Sequence, residues 1–348
     1  MKIGILTYHN IPNIGAILQA QALCQFIRNC GFDCDIIDYS CCNLIRRELT
    51  FHSSSNPLTN LLLRYAWNKN KKKIKGCNMY MSNLHFVSLE KYNRQTIQNA
   101  NLIYDLFISG SDMIWNLAVN GEDYTYFLDF VDNNKLRISF ASSIGDVWTD
   151  EEKDKLIPLL KKYNSISVRE EDTNVMLNNM GLLSHHLCDP TFLLEPDVWK
   201  KHSIKPNKKG YVLVYFPTDE LISKAKLYAK KHSLKVIVIS QGIPSFNVTK
   251  FSPNNPGEWI GLFEYADAVF TNSYHGLLFS FYFEKPVWTA NYGNRILSIL
   301  KLLNQNKCRL DVDYNMNNVI DYTDCRSRIS RLRRMSQEYI KQTLYQFS

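Results

Sequence analysis

Short runs of β-branched and apolar residues alternate with longer helical patterns along most of the chain. Residues 2–7 form the first apolar run, residues 14–29 carry apolar side chains at helical spacing, and residues 34–38 form the next run. This alternation is typical of parallel sheets that are covered by helices. The chain therefore begins with a predicted βαβ unit.

The alternation continues in two halves. In the first half we expect strands at residues 106–109, 137–141 and 165–168 and helices at 151–162 and 170–180. In the second half we expect strands at residues 211–216, 235–240, 268–271 and 286–289 and helices at 220–231, 258–265 and 274–283.

The segment between the halves, residues 195–210, contains two prolines, one glycine and five lysines, which is the composition of a linker. The predicted fold class is α/β, with two Rossmann-like domains in tandem at residues 1–195 and 196–310. Such domains in series favour a ligand in the cleft between them, at the carboxyl ends of the strands. The tail, residues 311–348, contains a predicted basic helix that we expect to pack back on the body. Its five arginines could face acidic lipid instead.

The composition excludes several classes of protein. With 348 residues, 45% of them hydrophobic and 21% charged, the chain is neither disordered nor fibrous. The 41 lysines and arginines exceed the 33 aspartates and glutamates, which favours anionic partners: phosphorylated metabolites, nucleic acid or an acidic membrane face. The nine cysteines form no CxxC pair, so we expect reduced, mostly buried thiols and a cytoplasmic protein. Neither a signal-peptide core nor a transmembrane segment is expected.

Residues 53–98 have a weaker pattern, for which we expect helices and an exposed loop. Five lysines lie close together in this segment: Lys69, Lys71, Lys72, Lys73 and Lys75. A solvated basic face explains them, and contact with the acidic inner leaflet of a membrane is the alternative.

Glycines follow several predicted strands, where they let a backbone approach a ligand closely. They are Gly15, Gly110, Gly145 and Gly276. Neither the GxGxxG dinucleotide fingerprint nor a P-loop is present in the sequence.

Residues 271–276 bring together the most specific group of polar residues. Asn272 or Ser273 can cap the following helix, which places His275 in its first turn, at the positive end of the helix dipole. An imidazole there can donate to a bound phosphate or deliver a proton to a substrate carbon. A capped helix with a histidine that only packs is the alternative.

Two further strand ends carry polar groups. Arg169 follows the strand at 165–168 and can bind a carboxylate or phosphate in bidentate fashion, or pair with the acids that follow it. The turn Ser109-Gly110-Ser111-Asp112, with Trp115 after it, has the groups of a sugar platform. There the carboxylate would accept hydroxyl protons and the indole would stack on a pyranose. Asp112 could instead cap a helix.

These motifs, taken in order, resemble those of the polysaccharide pyruvyl transferase family. Residues 13–20 look like the family's first loop and helix, and residues 109–116 look like its Gly-Ser-Asp-x-x-Trp-Asn signature, with Met113 where many members carry glutamine. Residues 166–170 resemble its Ser-x-Arg strand, 189–191 its domain exit, and 271–276 its His-Gly motif. The five pieces extend over most of the chain.

The resemblance implies a fold similar to the two-domain glycosyltransferase B architecture, with the tail helix crossing back to domain one. It implies phosphoenolpyruvate as donor and a sugar as acceptor, with a pyruvate ketal and phosphate as products. It requires no metal and no nucleotide cofactor. His275 and Asp112 would be catalytic, Arg169 would clamp the donor, and the acceptor would face the Asn13–Gly15 loop and the Ser111–Asp112 turn. The other residues that the resemblance assigns to substrate binding are Asn272, Ser273, Gly276, Ser109, Gly110, Trp115 and Arg295.

The sequence departs from the family at one position. Members often carry arginine two residues before the histidine, where this chain has Ser273, and Arg295 is a candidate to replace that cation. The expected acceptor is a surface polysaccharide carried on a membrane lipid, modified by a cytoplasmic enzyme that can touch the inner membrane face. Two other functions are compatible with the residues: a nucleotide-sugar glycosyltransferase, and a non-catalytic protein that binds anions, lipid or nucleic acid. The sequence contains no recognisable nucleic-acid-binding motif, which argues against nucleic acid as the partner.

Overall fold

The structure is a computed structural model, and it describes residues 1–240, 248–311 and 320–348. The chain divides into two compact units. Unit 1 contains Met1–Thr50, Asn78–Leu194 and Ser330–Ser348, and unit 2 contains Phe51–Cys77 and Glu195–Ile329. Residues 51–77, which were expected in the first domain, group with unit 2. Residues 312–319 of the tail expected at 311–348 lie outside the described residues.

The strands and helices alternate along the chain. The strands are β1 (Lys2–Leu6), β2 (Asp33–Tyr39), β3 (Val87–Tyr92), β4 (Leu106–Ser109), β5 (Leu136–Ser139), β6 (Ile166–Val168), β7 (Ser184–His186), β8 (Tyr211–Tyr215), β9 (Lys235–Ile239), β10 (Thr249–Phe251), β11 (Ala268–Thr271) and β12 (Val287–Trp288). The α-helices are α1 (Ile14–Asn29), α2 (Cys42–Leu49), α3 (Pro57–Leu84), α4 (Leu117–Asn120), α5 (Asp150–Leu160), α6 (Glu171–Asn179), α7 (Pro196–His202), α8 (Asp219–Lys231), α9 (Pro256–Glu264), α10 (Tyr274–Tyr282), α11 (Asn294–Leu302) and α12 (Tyr322–Gln346).

The sheet of unit 1 has the order β3-β2-β1-β4-β5, and all of its pairings are parallel. The inner strand β4, next to the central strand β1, is buried along its whole length, whereas β3, at the edge, is largely exposed. Burial on both faces explains why β4 is a continuous apolar run. Isolated bridges from Ile138 to Ser165 and from Ser142 to Val168 connect this sheet to the parallel pair β6-β7.

The sheet of unit 2 repeats this arrangement with the order β10-β9-β8-β11-β12, again with parallel pairings. In each sheet the first strand of the unit lies in the middle, so the chain winds outward in both directions from it. This is the order of a Rossmann-like half. The predicted fold class, α/β with two Rossmann-like domains in tandem, is confirmed.

The structure corrects the linker expected at residues 195–210, because its first part is helix α7. Pro196 occupies the first turn of this helix, and basic residues occupy its last turn. Trp199 is fully buried and packs edge-to-face on Phe279 at 5.4 Å between ring centroids. The tryptophan anchors the segment in unit 2, which lysine-rich composition alone did not reveal.

Helix α12 packs against unit 1 through its C-terminal part. The main-chain N–H of Cys188 donates to Ser336 Oγ at 3.0 Å, and Gln337 Nε2 donates to the carbonyl of Leu193 at 2.8 Å. Arg333, one of the tail arginines, is buried and donates to the carbonyl of Phe192. The expectation that the tail helix packs back on the first domain is confirmed.

The cysteines form no disulfide, and seven of the nine are buried. Burial raises the pKa of the Cys188 thiol to about 12. In the part of the chain that the structure covers, no helix combines the length and apolar character needed to cross a membrane.

Gly261 of helix α9 lies so close to the backbone that only glycine fits there. A Cβ atom at this position would overlap the carbonyl oxygen of Ile204. We therefore expect Gly261→Ala to lower the free energy of unfolding by about 2 kcal/mol, because the backbone cannot move away as a flexible side chain would. Urea denaturation followed by circular dichroism measures this loss.

Gly293→Ala is the matched control. It lies in the same unit with a φ of −67°, and a Cβ there would meet only the end of the Asn291 side chain. An equal loss of stability in the two variants would contradict the packing argument.

Candidate active site

The candidate residues of unit 1 follow the strands at the centre of its sheet. Leu6 of β1 pairs in register with Ser109 of β4, and Ser109 pairs with Ser139 of β5. The chain segments that leave these strand ends therefore start side by side.

The turn after β4 is held by its serines and glycine. Ser109 Oγ donates to the carbonyl of Tyr126 at 2.7 Å, and Ser111 Oγ donates to the carbonyl of Ala141 at 2.8 Å. Gly110 has a φ of +158°, and a Cβ on it would overlap the carbonyl of Phe140. Both serines are fully buried with their hydroxyls engaged. The structure therefore corrects the substrate contacts expected for Ser109, Gly110 and Ser111: these residues shape the turn.

Trp115 is also a core residue. Its side chain is fully buried, its ring stacks on Phe127 at 5.6 Å between centroids, and Trp148 and Tyr163 pack around it. Its Nε1 donates to Ser109 Oγ at 3.0 Å. A covered indole offers no face to a sugar, so the stacking role expected for Trp115 is wrong.

Asp112 lies at the end of the same turn, in the left-handed region at φ +54°. Its main-chain carbonyl accepts from the N–H of Ser143 at 3.1 Å, which ties the turn to the segment after β5. Burial, and then the Asp112 carboxylate, raise the pKa of Tyr8 well above its usual value. The Tyr8 hydroxyl stays protonated and donates to the carbonyl of Met113 at 3.2 Å.

Arg169 lies at the centre of a buried charge cluster. Its Nε donates to Glu170 Oε1 and its Nη1 donates to Asp189 Oδ2, both at 3.0 Å. Its Nη2 lies 3.7 Å from Asp112 Oδ1. The guanidinium is 1% exposed, so its surroundings are three carboxyl groups of the protein itself. This corrects the expectation of a guanidinium that binds the donor directly.

Glu170, Asp189 and Ser143 complete this cluster, and no functional role was predicted for them from the sequence. Ser143 Oγ donates to Glu170 Oε1 at 2.8 Å. Asp189 Oδ1 accepts from the N–H and the hydroxyl of Thr191, so one carboxylate connects Arg169 to the segment that leaves the unit. Ser143, Glu170 and Asp189 follow strands β5, β6 and β7, and this position after a strand end could have marked them as candidates.

Asn13 and Gly15 stand at the start of helix α1, after strand β1. Asn13 is exposed and caps the helix, its Oδ1 accepting from the N–H of Ala16 at 3.4 Å. Gln19, one turn into the helix, donates to Thr7 Oγ1 at 2.7 Å and accepts from the N–H of Ser111. The amide of Gln19 thereby connects the segment after β1 to the segment after β4.

The candidate residues of unit 2 follow strand β11. Ser273 caps helix α10, its Oγ accepting from the N–H of Gly276 at 3.2 Å, as the sequence predicts for Asn272 or Ser273. His275 lies in the first turn of this helix and is 7% exposed. A Cβ on Gly276 would come within 2.6 Å of Thr271 Oγ1 and 3.1 Å of the Tyr215 ring. Glycine therefore lets α10 begin directly against the ends of β8 and β11.

Asn272 connects this turn to the segment after β12. Its Oδ1 accepts from the N–H of Ala290 at 3.0 Å, and its carbonyl accepts from Asn291 Nδ2 at 2.9 Å. Arg295 lies in the first turn of helix α11, just beyond that segment, and is partly buried. The structure thus places His275 and Arg295 on helices that start after the adjacent strands β11 and β12.

We expect Arg169→Met to lower the free energy of unfolding by about 3–5 kcal/mol, because it leaves buried carboxyl groups without their cation. Arg94→Met is the control in the same unit: Arg94 makes a bidentate contact with Asp129, but its side chain is 53% exposed. The control should lose about 1 kcal/mol or less, because an exposed ion pair is screened by solvent. Urea denaturation of both variants measures the free energy of unfolding. Similar losses in the two variants would show that the buried cluster stabilises the protein no more than an exposed ion pair does.

Comparisons with known proteins place the chain in a family. It matches the family model described as polysaccharide pyruvyl transferase over residues 13–294. No curated protein matches it.

Several solved structures share its fold. UDP-GlcNAc 2-epimerase from Neisseria meningitidis, solved with UDP-GlcNAc, has a TM-score of 0.53 at 10% identity, with 99% of this chain and all of that chain covered. The Methanocaldococcus jannaschii UDP-GlcNAc 2-epimerase in complex with UDP-GlcNAc and UDP has a TM-score of 0.52 at 9% identity, with 99% of each chain covered. The S. aureus MnaA-UDP co-structure has a TM-score of 0.52 at 11% identity, with 97% of this chain and 91% of that chain covered.

At these identities the likeness shows the fold, which agrees with tandem Rossmann-like domains similar to the glycosyltransferase B architecture. The family model, in contrast, covers most of the sequence, including the segments that contain Asp112, Arg169 and His275. The chain belongs to the polysaccharide pyruvyl transferase family.

Proposed function

We propose that the protein transfers the enolpyruvyl group of phosphoenolpyruvate to a sugar of a surface polysaccharide and forms a pyruvate ketal. The observation that carries this proposal is the place of His275, within the family match, buried in the first turn of α10 at the carboxyl end of β11. Helix N-termini favour anions, and an imidazole there can bind a phosphate or deliver a proton.

The charges of the two units support a donor on unit 2. Phosphoenolpyruvate carries a phosphate and a carboxylate, so its site needs cations and helix N-termini. Unit 2 offers His275 on α10 and Arg295 on α11, which start after adjacent strands. In unit 1, one guanidinium already faces the carboxyl groups of Asp112, Glu170 and Asp189. A neutral polyhydroxylated acceptor suits that environment better than a further anion.

The reaction balances with two hydroxyl groups of the acceptor. A proton is added to C3 of phosphoenolpyruvate, which leaves an oxocarbenium-like centre at C2, and His275 supplies that proton or holds the phosphate. One sugar hydroxyl forms a bond to C2, the C2–O bond to phosphate breaks, and the second hydroxyl forms the other C–O bond of the ketal. One hydroxyl proton replaces the proton used at C3, and the other leaves with inorganic phosphate. Asp112 accepts a hydroxyl proton, and the loop containing Asn13 and Gly15 contacts the acceptor.

We propose further that the acceptor is linked to a membrane lipid and is modified on the cytoplasmic side. Surface glycans that are assembled on a lipid present their sugars at the membrane face. The excess of basic residues in this chain suits work beside acidic lipid.

Titration calorimetry with phosphoenolpyruvate and with UDP-GlcNAc tests the donor, and phosphate release with a panel of nitrophenyl hexosides as acceptors tests the transfer. We expect phosphoenolpyruvate to bind, and His275→Gln to reduce phosphate release by about 100-fold or more, because the glutamine amide can donate a hydrogen bond but cannot deliver a proton to C3. His232→Gln, at an exposed histidine of the same unit, should keep full activity. Binding of UDP-GlcNAc without binding of phosphoenolpyruvate would instead favour a nucleotide-sugar glycosyltransferase.

Asp112→Asn tests the acceptor side. We expect about a 100-fold lower kcat with an unchanged dissociation constant for phosphoenolpyruvate, because the amide cannot accept the hydroxyl proton. Asp123→Asn, in the same unit, is the control for replacing a carboxylate outside the candidate site, one that accepts from the N–H of Thr125 and from the Tyr39 hydroxyl. A parallel loss of donor affinity in the Asp112 variant would refute the assignment of Asp112 to the acceptor.

A further inference from the structure

Helix α3 carries a second apolar face that the protein does not cover. Leu58, Leu61, Leu62 and Tyr65 recur at positions i, i+3, i+4 and i+7, so they lie on one face of the helix, named here the outer stripe. Their exposures are 69%, 64%, 40% and 43%. Four large apolar side chains exposed in one row are unlike the scattered exposed residues of an ordinary surface.

The outer stripe is distinct from the face with which α3 packs on the protein. Cys77 and Met81 are buried, at 2% and 4% exposure, and Trp67 and Ile74 are partly buried. At 100° per residue, these four side chains lie roughly opposite the outer stripe. Because the helix already has a buried face, the exposed leucines are not needed for the core.

The outer stripe continues directly into basic residues. Lys69 and Lys72 lie on the same face, one and two turns further along, and Lys69 Nζ lies 4.7 Å from the centre of the Tyr65 ring. Arg64, Lys71 and Lys75 are exposed at the side of this face. The chain has no aspartate or glutamate between Glu48 and Glu90. An uncompensated positive charge therefore borders the apolar row.

We propose that residues 58–75 of α3 form a docking surface for an anionic phospholipid bilayer. Leucine and tyrosine side chains can enter the boundary between headgroups and acyl chains, while the lysines meet lipid phosphates. A protein partner explains the residues less well, because lysine is depleted in protein–protein interfaces. The helix would lie in the plane of the membrane surface. If the acceptor is lipid-linked, a point that rests on the proposed function, this contact keeps the enzyme beside its substrate.

Flotation of the purified full-length protein with lipid vesicles tests this surface. We expect binding to phosphatidylcholine vesicles that contain about 30 mol% phosphatidylglycerol, little binding to phosphatidylcholine alone, and release at about 0.5 M NaCl. Absence of binding to the anionic vesicles would overturn the proposal.

Two variants separate the apolar and the electrostatic contributions. Leu58→Asn/Leu61→Asn and Lys71→Ala/Lys72→Ala/Lys75→Ala should each weaken binding to the anionic vesicles by about tenfold or more. Leu227→Asn is the control, because Leu227 is a half-exposed leucine on helix α8. Binding that survives the leucine substitutions would reject the outer stripe as a membrane contact. Leu58→Asn alone, at the most exposed position, tests the same point if the double variant fails to fold.

Sedimentation equilibrium distinguishes the remaining occupant, a second copy of the chain. A dimer that becomes monomeric in the Leu58→Asn/Leu61→Asn variant would assign the outer stripe to self-association and reject the membrane contact. The flotation assay contains neither phosphoenolpyruvate nor a sugar. A negative result therefore counts against the docking surface and not against the transfer reaction, and a failed transfer assay leaves the docking result intact.

Discussion

Parallel pairing of the two central strands in each sheet decides where chemistry is possible in this protein. β1 pairs with β4 in unit 1, and β8 pairs with β11 in unit 2. From each of these pairs the sheet grows outward in opposite directions, so the chain leaves the two strand ends toward different sides. The candidate residues follow these strands, strand β12 and, for Arg169, strand β6. The fold therefore determines the positions, and the short segments after the strands contain the candidate groups.

The buried cluster around Arg169 shows how such segments are fixed. Its carboxyl groups come from segments that follow β4, β6 and β7, and the guanidinium holds them together. Three carboxyl groups around one cation leave little attraction for another anion. Under the proposed function, these charges favour a neutral acceptor on unit 1 and leave the anionic donor to unit 2.

The elements that were predicted correctly are those that a short stretch of sequence identifies by itself. The strands at the centre of each sheet are apolar runs, and Ser273 caps helix α10 as expected for Asn272 or Ser273. Strand β3 was missed because an exposed edge strand carries lysine and glutamate, and β10 because it is short and half exposed. Helix α7 was missed because its stability comes from the packing of Trp199, which is a tertiary contact. For the same reason Trp115 was assigned to a sugar and Arg169 to a phosphate: sequence gives the strand end, but not whether the side chain points into the core.

The amide of Asn272 has a consequence for motion in unit 2. Asn272 Oδ1 accepts from the N–H of Ala290, and the main-chain carbonyl of Asn272 accepts from Asn291 Nδ2. These two hydrogen bonds connect the segments that lead into α10 and α11. Neither helix can tilt without breaking these hydrogen bonds, and the histidine and the arginine that they carry keep a constant spacing. Any closure of this edge around a bound molecule must then move both helix ends as one rigid piece, rather than one loop swinging alone.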